Sequence, residues 1–304
     1  MALCLANSLI DYEDFVPYDQ LVRYKWWYES GYMSSTGHCF DIGNATRESV
    51  NEFTKRQNKI KETTDKNIDD YRSIHEKLTD FNVNCSYEGV AGNGALMRLA
   101  PVPLFFFQSP INAVEYSGIS GQITHGDRKS FDACRYYGAL IVAALHGFNK
   151  DQLLDNNFYS TYRESLFQNN TLHNDIKEIA EGSYKKQGGY KEGIRGKGYI
   201  VAALEAALWA FWKHDNFEDG ALAAVNLGDD TDTTAAIYGQ LAGAFYGYQG
   251  LPSKWTQHVY AREFLEKLSQ WIAYEGQQWY EKQQEQPKPE QQEQPKPEQQ
   301  EQTE

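Results

Sequence analysis

Four kinds of feature are scarce in this chain of 304 residues, and each scarcity excludes something. Only four cysteines occur, Cys4, Cys39, Cys85 and Cys134. They form no CxxC pair and no Cys/His ligand spacing, which argues against a disulfide scaffold or a zinc site and for reduced thiols in the cytoplasm. No stretch approaches the roughly 20 uninterrupted apolar residues that a membrane-spanning helix needs. The opening "MALCLANSLIDYED" has no basic leader region, so no signal peptide is expected. Positive charge is short as well. The formal net charge is −13, whereas nucleic-acid binding calls for clustered Lys and Arg. Finally, no run of alternating apolar and polar residues is long enough for a sheet strand. The one strand-like piece, "VPLFFFQS", follows Pro101 and contains Pro103, and reads better as a loop or a helix start.

What is present is helical and aromatic. Hydrophobic residues make up 41% and aromatics 14%, the composition of a globular chain with a sizeable core. "MALCLANSLI" gathers Leu3, Leu5, Leu9 and Ile10 largely on one side of a helix. A second helix is expected from Pro17 to a stop at Gly31. "TRESVNEFTKRQNKIKE" reads as a polar helix with Val50 and Phe53 inward. The stretches 130–148 and 198–214 are apolar on most sides, as central helices of an all-α core should be. Gly239, Gly243 and Gly247 recur every four residues, which predicts a helix packed backbone-close to a neighbour, since glycine otherwise costs a helix about 1 kcal/mol. Four glycine-rich loops (34–47, 89–101, 117–130 and 185–199) precede helices, whose N-termini suit anions such as a diphosphate. The expected fold is all-α, a single compact orthogonal helical bundle over residues 1–280. "EQPKPEQQ" occurs twice, at 285–292 and 293–300. Residues 281–304 are therefore read as a disordered Pro/Gln/Glu tail that cannot offset its ordering entropy by burial.

The densest chemistry lies in "NLGDDTDTTAAIYGQLAG", residues 226–243, where Asp229, Asp230 and Asp232 fall within four positions. Helix capping by Asp229 or Asp230 accounts for one acid easily but for three poorly. A calcium loop of the EF-hand kind needs Gly at its sixth position and Glu at its twelfth; counted from Asp230 these are Ala235 and Leu241. The third reading is a cation site at the mouth of a helix. Asp230 and Asp232, two apart on a turn, can direct oxygens to one point, and Thr233 adds a hydroxyl. Hard oxygen donors suit Mg²⁺, Mn²⁺ or Ca²⁺, and about three protein oxygens leave the rest of the shell to other donors.

This segment, together with "GYIVAALEAALWAF", "GNGALMRLAP", "SSTGHCFDIGNATR" and "DACRYYGALIVAAL", resembles the ADP-ribosylglycohydrolase family, in register from Met1 to about Trp255. The resemblance implies an all-α fold with two metal ions, Mg²⁺ or Mn²⁺, lining an ADP-ribose cleft. It further implies hydrolysis of the bond between ADP-ribose and a modified protein side chain, arginine being the first guess. Position by position, Asp230, Asp232 and Thr233 resemble metal ligands. Asp41 resembles an acidic catalytic residue beside the ribose. Gly92, Asn93 and Gly94 resemble a loop meeting ribose and diphosphate. His125 resembles a substrate-side histidine, with Gly126 where the family has proline. Tyr199 resembles an aromatic packed on the adenine.

One family feature has no counterpart. A "TDDT"-type motif carries the other half of the metal site and continues as a "SMALALAESL"-like helix; Met1 stands where that motif should already have passed. "TTDKNIDD" (63–70) is the nearest replacement in letters, but it is expected in a polar helical stretch. The resemblance thus implies either a start upstream of Met1 or a truncated relative that holds ADP-ribose weakly, with only one metal ion or with ions weakly bound, and without turnover. The intact pocket motifs favour the first. A purely structural helical protein is the remaining reading and predicts no ligand.

Overall fold

The structure is a computed structural model that describes residues 1–285. Within them the chain is built of helices, and the single β-type contact is an isolated antiparallel bridge between Gly92 and Tyr199. The helices form where the periodicity places them. Ala2–Tyr12 buries Cys4, Leu5, Leu9 and Ile10. Pro17–Ser30 begins on proline and stops at Gly31, whose φ of 71° is the left-handed geometry that glycine adopts without strain. Asn44–Lys61 turns Val50 and Phe53 inward. Pro101, with a fixed φ and no N–H to lose, opens the short helix Pro101–Phe105 where the strand-like letters stood.

Two apolar helices, Arg128–Leu145 and Ile200–Lys213, are buried along most of their length. With Thr231–Tyr246 they carry the largest hydrophobic cluster. A second cluster joins Ala2–Tyr12 and Pro101–Phe105 to Arg262–Glu285, the last helix among the described residues. Trp279 closes it, its ring edge-on to Phe106 at 4.8 Å and its Nε1 donating to Asp14 Oδ1 at 3.1 Å. That helix runs five residues past the expected boundary at 280, so 281–285 are helical rather than part of a tail; the remainder of the expected tail, 286–304, lies outside the described residues.

Three further expectations are corrected. Gly239, Gly243 and Gly247 do not mediate a close helix contact, because a Cβ at each would meet nothing within 4 Å among the described residues. Close approach belongs instead to Gly118 and Gly138, where Pro110–Gln122 packs on Arg128–Leu145: a Cβ would lie 2.6 Å from the Phe131 ring or 2.4 Å from Ser117 Oγ. The same helix contains 117–122, so the third glycine-rich loop is a loop only from Ile123 onward. Residues 63–70 are turns, not helix. They are drawn in by Asp69, whose carboxylate accepts from Lys25 Nζ, Trp26 Nε1 and Gln57 Nε2, and they take no part in the cleft described next.

Candidate active site

All four glycine-rich segments and the aspartate turn meet in one cleft of about 430 Å³. Asp41 to Thr46, Gly92 to Gly94, His125, Gly198, Asp230, Asp232 and Thr233 line it, with Trp27, Phe40 and Met97 as apolar walls. Backbone bonds stitch the loops together across long sequence distances. Asn93 N donates to Gly198 O at 2.9 Å, Ile200 N to Ala91 O at 3.0 Å, and Asp230 N to Gly196 O at 2.7 Å.

The floor is anchored by side chains as well. Asp230 stands just before the helix Thr231–Tyr246, yet its carboxylate does not cap that helix. It accepts instead from Asn93 Nδ2 at 2.8 Å, and the same amide reaches Lys197 O at 3.3 Å. Partial burial would raise this carboxyl group's pKa, but the Asn93 hydrogen bond and the neighbouring Thr233 outweigh it and hold the group below the ordinary carboxylate range. Asp232 lies one residue into the helix, and Thr233 is buried with its hydroxyl against Met97 Sδ at 3.8 Å. Asp229 is exposed at a φ of 57°, and Thr234 Oγ1 closes the turn by donating to Asp230 O at 2.8 Å.

The rim differs. Asp41 is exposed on the loop before Asn44–Lys61, with Oδ1 accepting from Ile42 N at 2.9 Å, and Phe40 beside it is 73% exposed. Sequence reasoning did not single out Phe40 or Trp27; a large apolar residue inside a polar glycine loop was the available signal for the first.

His125 is nearly wholly buried, 1% exposed, behind the Gly92–Gly94 loop. Burial first, then the nearby Arg98 cation, push its imidazole down to about 3, so it is neutral at physiological pH. Gly126, where the family has proline, has a local cause: the Ser86–Tyr87 backbone crosses so close that a Cβ would sit 2.6 Å from Tyr87 N. Tyr199 is placed differently from the rest. Its backbone bridges Gly92, but its ring is not among the cleft walls. It is 40% exposed, with its hydroxyl 3.4 Å from Asp175 Oδ2 and Lys129 Nζ 5.9 Å from its centroid.

As a metal site the turn fits in kind and falls short in number. Two carboxylates and a hydroxyl are the donors a hard divalent cation takes. Among the described residues, however, no group of three His, Cys, Asp or Glu side chains stands close enough to hold an ion.

Fold and cleft together define a helical protein whose acidic turn faces a glycine-lined hollow of ligand size. The family model described as ADP-ribosylglycohydrolase matches residues 1–282, and the chain belongs to that family. It is 33% identical over 274 residues to the ADP-ribosylarginine hydrolase Tri1 of Pseudomonas putida (strain GB-1), covering 89% of this chain and 63% of that protein. To the ADP-ribosylarginine hydrolase Tri1 of Serratia proteamaculans (strain 568) it is 32% identical over 279 residues, 90% of this chain and 65% of the relative. The chain therefore spans less than two thirds of either relative's length. A solved structure titled "ADP-ribosylglycohydrolase-related protein complex" superposes with a TM-score of 0.68 at 32% identity, over 90% of this chain and 79% of that one.

Proposed function

We propose that this chain hydrolyses the glycosidic bond between ADP-ribose and a modified protein side chain, with arginine as the first substrate to try. The observation that carries the reading is the meeting of Asp41, the Gly92–Gly94 loop and the Asp230–Thr233 turn in one cleft; the names of the two Tri1 relatives support the arginine linkage. Among the described residues no helix is long and apolar enough to cross a membrane, and the four unpaired thiols are consistent with a cytoplasmic protein.

In this reading the glycine loop, free of side chains at Gly92 and Gly94, lets the ribose and diphosphate approach the backbone. Exposed Asp41 orients a water and takes its proton as the water oxygen attacks the anomeric carbon. The carbon–nitrogen bond to the guanidine breaks, and the leaving nitrogen gains a proton. The carboxylates around the cleft favour the oxocarbenium-like charge that develops on the sugar. Asp230, Asp232 and Thr233 would hold Mg²⁺ or Mn²⁺, which, when bound, supplies charge stabilisation to ribose hydroxyls and water.

The runner-up is an ADP-ribose-binding module without turnover, favoured by the missing third acid in any described cluster. Release of ADP-ribose from an ADP-ribosylarginine protein, with Mg²⁺ and with EDTA, separates the two. Release that EDTA abolishes supports the hydrolase. No release, with calorimetric ADP-ribose binding indifferent to Mg²⁺ and to Asp232→Asn, establishes the module. No release and no binding overturns both.

A further inference from the structure

A separate groove, of about 390 Å³, shares no lining residue with the cleft. Its walls are aromatic: Phe15, Tyr18, Tyr71 and Phe81 line it, with Pro17 among them. The rings are braced by neighbours. Phe15 stacks on Tyr116 at 4.8 Å, Tyr71 stands edge-on to Tyr12 at 5.7 Å, and Phe81 is edge-on to Tyr18 at 5.1 Å. The Tyr18 hydroxyl donates to Ile68 O at 2.7 Å, which fixes that ring as well. Side chains that are already held give up little entropy when something docks on them. A groove of fixed rings is the surface on which proline-rich segments dock.

The described chain ends beside this groove. In the last turns of Arg262–Glu285, Trp279 Nε1 donates to Asp14 Oδ1 at 3.1 Å and Lys282 Nζ pairs with Glu13. Asp14 immediately precedes Phe15 of the groove wall. From Glu285 onward the sequence is the doubled "EQPKPEQQ", which puts Pro-Lys-Pro at 287–289 and again at 295–297. The first begins two residues beyond Glu285. The second is within a reach of about 30 Å, at the ~3.1 Å per residue of an extended proline-rich segment.

Charge agrees with the fit. Lys288 and Lys296 are the only cations in 286–304, and each stands between two prolines. Asp14, Glu76 and Asp80 adjoin the groove residues Phe15, His75 and Phe81 in sequence; all three acids are exposed and enter no ion pair among the described residues. Lys77, exposed as well, is available to the glutamate that follows each Pro-Lys-Pro.

We propose that the groove is a docking site for the chain's own Pro-Lys-Pro segment, one copy at a time, with the prolines against the rings and the lysine toward the acids. Proline fixes φ at about −65°, so such a tripeptide has little freedom to lose. Tethering supplies the rest. A segment on a short linker meets its site at an effective concentration on the order of millimolar, so contacts too weak to hold a free peptide are sufficient. Docking there is independent of the reaction assigned to the cleft.

Photo-crosslinking in the full chain tests this, with p-benzoylphenylalanine at Gln292, between the two copies, and the products mapped by mass spectrometry. The expected products join residue 292 to peptides carrying 15–18 or 71–83, in a yield that does not change on dilution. Pro287→Ala, Pro289→Ala, Pro295→Ala and Pro297→Ala together abolish them while leaving every described residue unaltered. Thr79→Trp, at an exposed position of the groove wall, fills the groove and abolishes them too. Products that survive the loss of all four prolines overturn the proposal, as do products that map elsewhere or no product at all. Products that fade on dilution show docking between copies and overturn the intramolecular site.

Discussion

The two acidic edges of the cleft are held in opposite ways. Asp230 is fixed from outside its own segment: Asn93, 137 residues earlier, donates to its carboxylate, and its backbone N–H is tied to Gly196. Asp41 is exposed, and among the described residues its carboxylate hydrogen-bonds only its immediate neighbour Ile42. A carboxylate that must stay put gains from a donor it does not carry with it. One that must reach water and pass a proton gains from exposure and freedom. The floor is thus preorganised and the rim is adaptable, and removing either should damage different things.

The sharpest break in that contrast is Asp41→Asn. The amide keeps the loop's hydrogen bond at Ile42 but cannot take a proton. We expect turnover of ADP-ribosylarginine to fall about 10²- to 10⁴-fold, with unfolding stability within about 0.5 kcal/mol of the parent, as for an exposed site. Steady-state kinetics beside a denaturant titration checks both halves. A large loss of stability would show that the rim is part of the framework after all.

Asn93→Ala tests the floor. Without its donor, Asp230 loses its orientation, and activity or metal affinity should drop roughly 10- to 100-fold, the usual cost of removing a group that aims a ligand. Here stability should fall too, by about 1 kcal/mol for the lost hydrogen bond. Equal activity in Asn93→Ala and the parent would mean that Asp230 needs no buttress, and the distinction between floor and rim would collapse.

The sequence made the two edges unequally legible. Asp230, Asp232 and Thr233 stand in one turn, so their juxtaposition is local and can be read from spacing. The bond between Asn93 and Asp230 spans two glycine loops, and nothing in "GNG" or "GDDTD" says that they pair. Arg98 sits in "LMRLAP", where an arginine ordinarily reads as surface; it is buried against the Tyr24 ring, Ser120 O and the Thr124 hydroxyl, contacts that are tertiary. The resemblance singled out Tyr199 as an aromatic packed on the adenine; its backbone bridges Gly92, while its ring lies beside Lys129 and Asp175, both distant in sequence. Residues 63–70 show the same limit: a polar stretch continues the preceding helix in pattern until Lys25 and Trp26 capture Asp69. Helix periodicity survives folding; the partner of a loop side chain is decided by it.

The smallest effect bears on the glycines. Spacing every four residues suggested that Gly239 and Gly243 exist for contact, yet a Cβ at either meets open space among the described residues. Both lie inside the helix Thr231–Tyr246, where glycine is a liability because the unfolded chain has more freedom to lose. Gly239→Ala and Gly243→Ala should therefore each stabilise the chain by about 0.4–1 kcal/mol, read as a shift in denaturant midpoint with unchanged slope. Gly220 is the proper contrast. A Cβ there would stand 2.2 Å from Tyr238 Oη, which is buried and donates to Phe217 O at 3.0 Å, so Gly220→Ala should cost about 1–3 kcal/mol through overpacking. If Gly243→Ala destabilises as Gly220→Ala does, that face of the helix is packed against something, and the recurrence of glycine there is a contact signal as its spacing first suggested.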